Sequence, residues 1–157
     1  FDEILNINIC VKKKNYDNLI NQKNLENTLI DVKDLFKENY QEHRIMHMII
    51  NNYLINGKNY SSFVDNLDSD LLCMEVNFIS ISNELVFSFE KVLEKYQIKI
   101  NQCLDGKYIN NLFKADNLEL PEMVNKLING YNENEVILIP KNKENKGFFE
   151  KFFQLFS

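Results

Sequence analysis

The chain has 157 residues, 45% of them hydrophobic, which suits one ordinary domain with a core and argues against global disorder. Eighteen lysines and arginines against 23 aspartates and glutamates leave a net charge of -5, so a general nucleic-acid binder, which needs a basic surplus, is not expected. The three cysteines, Cys10, Cys73 and Cys103, form neither a CxxC pair nor a zinc spacing, and no run of eighteen apolar residues offers a membrane span. A reduced, cytosolic protein is the expectation.

Residues 3–11, EILNINICV, alternate at Ile7, Ile9 and Val11, the period of a half-buried strand. KKKNYDN reads as a loop. From Asn24 to Tyr40 the period changes: Leu25, Leu29, Val32, Leu35, Phe36 and Tyr40 recur at three and four, an amphipathic helix. RIMHMIINNYLING reads as a strand ending at the turn Asn56-Gly57. A loop with Ser61, Ser62 and Asp65 leads to LLCMEVNFISI, where Leu72, Met74, Val76 and Phe78 share one strand face.

Ser82-Asn83-Glu84 looks like a helix start, with Leu85, Phe89, Val92, Leu93 and Tyr96 as its apolar stripe. QIKINQCLDG alternates at Ile98, Ile100 and Leu104 and predicts a further strand. KYINNLFK is one or two helical turns. PEMVNKLING suits a helix with Pro121 in its first turn and Gly130 just past its end. EVILIP is a short apolar strand, and KNKENKG a polar linker. The order helix, strand, strand, helix, strand predicts an α+β fold: a small antiparallel-containing sheet of about three strands with two packed helices, plus a C-terminal amphipathic helix.

Residues that could carry chemistry are few. No glycine-rich phosphate loop, GxGxxG, GxSxG or HExxH occurs. His43 and His47 are four apart, but in a strand that spacing puts both on one face about 13 Å apart, too far for one ion. Cys73 and Cys103 read as small buried thiols in strands. Asp65, Asp68 and Asp70 lack the glycine and terminal glutamate of an EF-hand and read as a solvated loop. The expectation is no catalytic residue, no cofactor and no metal.

The C-terminus concentrates five of the twelve phenylalanines in its last ten positions. On a helix Phe148, Phe149, Phe152, Phe153 and Phe156 form one stripe, with Glu150, Lys151 and Gln154 opposite. Such a helix is about 15 Å long at 1.5 Å per residue, half of what a bilayer core requires, so it would lie in the interface rather than span. Burying each phenylalanine gives at most about 1.5–3 kcal/mol, while ordering each of some ten residues costs about 1–2 kcal/mol. The two nearly cancel, so one tail binds weakly and several on one assembly bind firmly. Lys141, Lys143, Lys146 and Lys151 would assist on anionic lipid, against Glu144 and Glu150. The expected membrane-binding residues are Phe148, Phe149, Phe152, Phe153, Phe156, Lys146 and Lys151.

Between the helix NLENTLIDVKDLFKENY and the segment KINQCLDG, the chain resembles the 1C subdomain of FtsA, the actin-like bacterial cell-division family, a subdomain related to the SHS2 module. In that family a helix precedes a strand reading roughly "iLHiiP..Y.iDG" and a second reading "LEVEVH.I", followed by a helix and a further strand. His47, Tyr53 and Gly57 match the first strand, and Leu72, Glu75 and Val76 the second. Ile50, Asn56 and Asn77 stand where the family has proline, aspartate and histidine. The tail KGFFEKFFQLF is similar to the membrane-targeting helix that ends such chains.

The resemblance implies residues 1–20 as an N-terminal strand and loop and 21–106 as the 1C-like domain. Residues 107–140 would be a helical and strand extension, and 141–157 the linker and amphipathic helix. The nucleotide-holding lobes of the actin-like ATPase, which also bind the tubulin-like FtsZ, do not fit in the remaining length. The implied function is a non-catalytic adaptor of the divisome at the septum, peripheral on the cytoplasmic face of the inner membrane. Its implied partners are itself, other division proteins and the membrane surface, with no nucleic acid and no contact residues named. A fragment of a full ATPase, or an SHS2-type module of a pilus-assembly protein, are the alternatives such a sequence leaves open.

Overall fold

The computed structural model describes residues 3–136. Along the chain these form β1 (Ile4–Lys14), β2 (Leu19–Ile20), α1 (Gln22–Asn39), β3 (His43–Ile55), β4 (Lys58–Tyr60), β5 (Leu67–Asp68) and β6 (Leu71–Ser82). Then follow α2 (Asn83–Glu94), α3 (Gly106–Leu112) and α4 (Leu120–Ile128). The fold is α+β: one four-stranded antiparallel sheet in the order β1-β6-β3-β4, four helices, and a two-stranded β2-β5 ribbon.

The capping of α1 is reciprocal. Asn24 N–H donates to Asn21 Oδ1 at 3.1 Å while Asn21 N–H donates to Asn24 Oδ1 at 2.8 Å, so two of the helix's orphan donors are satisfied. The helix buries Leu25, Leu29, Val32 and Phe36 on the sheet. There they meet Met48, Ile50 and Tyr53 of β3 and Leu72, Met74, Val76 and Phe78 of β6. Each such side chain, fully buried, contributes about 1.5–3 kcal/mol. The Phe36 ring stacks on Phe78 with centroids 4.5 Å apart. Leu35, expected in the stripe, is about half exposed because its neighbour Phe36 occupies the contact.

The hairpin between β3 and β4 turns at Asn56-Gly57, with φ of 52° and 74°, as the sequence predicts for a two-residue turn with both central residues left-handed. Pro121 lies in the first turn of α4 and Gly130, at φ 82°, just past its end, also as expected.

Two expectations about the sheet fail. The strand predicted over residues 98–104 does not form; its backbone is committed at both ends instead. Ile98 N–H closes the end of α2 on the Leu93 carbonyl, and Asp105 N–H bonds the His47 ring. The sheet takes β1 as a strand in its place. All eleven β1 residues pair with β6, from Ile4 opposite Ile81 to Lys14 opposite Leu71, so β1 shares one sheet with strands from the segment after residue 21. Alternating exposure along β1 puts Ile7, Ile9 and Val11 toward α1.

The opposite sheet face is only partly covered. Near the end of β6, α2 packs over Met46, Ile49, Ile79 and Ile81 through Val86 and Leu85. Farther along, the face is polar: Asn77 Nδ2 donates to Asn8 Oδ1 at 2.7 Å and also to Asn6 Oδ1. An antiparallel sheet tolerates such a half-wet face because its backbone bonds lie within the sheet. A third cluster, Ile109, Phe113 and Leu127, joins α3 to α4.

Candidate functional site

The strand β3 carries two register irregularities, between Ile45 and His47 and between Ile50 and Asn52. The first inserts Met46 as an extra residue, and this overturns the reading of the histidine pair. His43 sits opposite Ser82 and His47 opposite Ile79, so the bulge sends the two rings to opposite faces rather than to one. Spacing alone gave no sign of it.

His47 is fully buried beneath the α3 end of the molecule. Its Nε2 accepts the Asp105 backbone N–H at 2.8 Å, and its Nδ1 faces Glu135 Oε2 at 3.5 Å. An Nε2 that accepts leaves Nδ1 as the protonated position in the neutral ring, aimed at the carboxyl. Glu135 is 1% exposed, and its other oxygen accepts the Met48 N–H at 3.3 Å. The Tyr108 ring lies 4.5 Å from the imidazole, and its hydroxyl accepts from Asn132 Nδ2 at 2.9 Å. Burial, and secondarily the charge of Glu135, pushes the Tyr108 hydroxyl well above the ordinary tyrosine range. Asp105 in turn caps α3 by accepting the Tyr108 N–H at 2.6 Å.

The cluster therefore ties β3 to two remote segments. Around Glu135 the chain adds to the β3 edge beside β4: Val136 N–H donates to the Met48 carbonyl at 2.8 Å and Ile50 N–H to the Asn134 carbonyl at 3.0 Å. Val136 is completely buried with the α1-side core. Of the expected strand EVILIP only Glu135 and Val136 are described, Glu135 forming an isolated bridge with Ile49; its remaining residues lie outside the described ones.

The second notable surface belongs to α2. Its direct junction with β6 fixes its rotation. Ser82 Oγ accepts the Leu85 N–H, Asn83 N–H donates to the Glu42 carbonyl, and Asn83 Nδ2 donates to the Gln41 carbonyl. That rotation turns Val86 into the core and leaves the predicted stripe largely outside it: Phe89 is 53% exposed, Val92 54% and Tyr96 71%. The end of α2 is a Schellman-type closure, Ile98 N–H to Leu93 O and Gln97 N–H to Glu94 O, with Gln97 at φ 59°. This closure folds Ile98 back beside Phe87, and both are more than half exposed. The Lys91 ammonium sits 4.4 Å from the Phe87 ring centroid.

The remaining sequence candidates are scattered. Cys10 is exposed and Cys73 and Cys103 are half-buried, with all three sulfurs reduced. Asp65 Oδ1 accepts the Gln22 N–H at 3.0 Å, fastening its loop to the start of α1. Phe148, Phe149, Phe152, Phe153, Phe156, Lys146 and Lys151 lie outside the described residues. Among the described residues no helix is long and apolar enough to cross a membrane, and no three histidine, cysteine or acidic side chains gather at metal-binding distance. No family model matches the chain, and no curated protein matches it.

Proposed function

We propose that this chain is a non-catalytic adaptor of the bacterial division machinery, an FtsA-like 1C module held at the inner membrane by its phenylalanine-rich tail. The observation that supports the reading is the order α1, β3, β6, α2, in which four of the five elements of the resemblance occur. Of the residues that carry the resemblance, His47 and Tyr53 lie in β3, Gly57 in the turn after it, and Leu72, Glu75 and Val76 in β6. The fifth element of the resemblance, the strand after α2, is not formed. Asn77, where the family has histidine, is spent on a side-chain ladder with Asn6 and Asn8.

In this reading the folded part supplies contact surface to division proteins and to other copies of itself. The tail supplies a shallow, reversible hold on the cytoplasmic leaflet, which strengthens when several chains assemble. Co-sedimentation with vesicles containing anionic phospholipid tests the hold. The wild-type chain is expected to pellet with vesicles and Phe152→Glu to stay in solution; equal pelleting would remove the tail from the membrane. Fluorescent fusions with and without residues 147–157 test the location, with septal signal expected only when the tail is present.

A further inference from the structure

Leu85, Phe89, Val92 and Tyr96 are spaced four, three and four, the narrow seam by which one helix receives another. A helix that only covers a sheet shows a broader stripe turned inward. Here Leu85 is tucked against the sheet cluster, while the other three stand outward with more than half their surface open. Phe87 on the helix and Ile98 just past its end add two further exposed apolar groups. No described segment of the chain covers Phe89, Val92 or Tyr96.

One segment of the same chain has the complementary pattern. In residues 148–156 the phenylalanines are spaced so that a helix would place them in one stripe, and Phe149, Phe152 and Phe156 repeat the three-four spacing. Eleven residues, 137–147, separate that stripe from Val136, which is anchored on β3. Eleven residues reach at most about 36–40 Å. A domain of this size has a radius of gyration of about 14 Å, so the reach covers either face. Joined by so short a linker, the stripe meets α2 at an effective concentration of about 1 mM. A seam of three turns is too short to hold separate chains together firmly, and a second copy competes at far lower concentration.

We infer that the outward face of α2, centred on Phe89, Val92 and Tyr96, is a dock for the chain's own residues 148–156. The inference rests on the tether reading and deepens it: the same phenylalanines serve α2 in solution and lipid at the membrane, so docking holds membrane attachment in check. If the docking contact has an intrinsic constant near 0.1 mM, roughly one tail in ten is undocked at any moment. Vesicle affinity then lies about tenfold below that of a tail with no dock.

The test uses the full chain in three forms: wild type, Phe89→Glu/Val92→Glu, and Phe152→Glu. Both α2 positions are more than half exposed, so the double variant keeps its core. Vesicles of anionic phospholipid supply the lipid, and amide nuclear magnetic resonance spectra are recorded without it. Two results are expected. The α2 double variant binds vesicles about tenfold more tightly than wild type, and the amides of residues 85–98 shift between wild type and Phe152→Glu. Unchanged vesicle affinity in the α2 variant, with superimposable α2 amides, overturns the dock. If Phe152→Glu still loses vesicle binding in that case, the tether itself stands. A dimer by light scattering that Phe89→Glu/Val92→Glu abolishes and Phe152→Glu retains overturns the inference in favour of a second copy. Weaker vesicle binding by the α2 variant overturns it in favour of direct lipid contact by α2.

Discussion

Asp105 and His47 are joined across fifty-eight positions of sequence by a backbone-to-ring hydrogen bond of 2.8 Å, inside a region that solvent does not reach. The bond fixes the imidazole tautomer, and the tautomer directs a proton at Glu135. One ring therefore sets the positions of β3, of the start of α3 and of the chain around residue 135.

Replacing His47 with leucine leaves a buried amide and a buried carboxyl without their partner. The expected loss is about 3 kcal/mol in urea unfolding at pH 7. His47→Leu/Glu135→Leu removes both sides of the contact and should recover a large part of that loss. Losses in the two single variants that simply add in the double variant would show that the pair is not coupled.

At the end of α2, Gln97 holds a left-handed conformation that a side chain disfavours. Glycine adopts it without that cost, though it gains freedom in the unfolded chain. Gln97→Gly should therefore stabilise by about 0.5–1 kcal/mol, read as a higher thermal midpoint. A lower midpoint would mean that the glutamine side chain contributes more than its backbone costs.

On α1 the Lys33 ammonium is brought down to about 8 by burial, then by Lys37, with Asp34 pulling the other way. Its folded value lies below the ordinary 10.5, so between about 8 and 10.5 the unfolded chain binds more protons and this group's contribution to stability rises with pH. Lys33→Met removes the penalty for the charged form. The variant should melt above wild type at pH 7, and the gap should close as pH rises from 8 toward 10.5. A constant gap would assign the effect to packing alone.

Much of the sheet-and-helix core is readable from periodicity. Leu25, Leu29, Val32 and Phe36 against Leu72, Met74, Val76 and Phe78 follow from periods of 3.6 and 2, and Asn56-Gly57 names its own turn. The failures share a cause: tertiary partners decided what local pattern left open. Residues 98–104 alternate like a strand, but the chain there runs from the closure of α2 on Leu93 to the Asp105–His47 bond and pairs with no described strand. β1 looked like a preface because nothing local reveals that its partner lies seventy residues away. The bulge at Met46 carries no composition cue, so the face of His47 was misassigned. The α2 stripe was legible as a stripe but its orientation was not, because apolar spacing gives a helix's face and only its neighbours give the rotation. Glu135 was missed altogether: a lone glutamate before an apolar run resembles any solvated acid.

The way residues 134–136 join β3 also has a mechanical side. A pull applied at Val136 loads the Val136–Met48 hydrogen bond first and the Ile50–Asn134 bond next, with the Val136 side chain seated in the core behind them. Force entering at Val136 would thus arrive at the middle of β3, before it could peel α4 or α3 away. The domain is gripped by its centre rather than by its end.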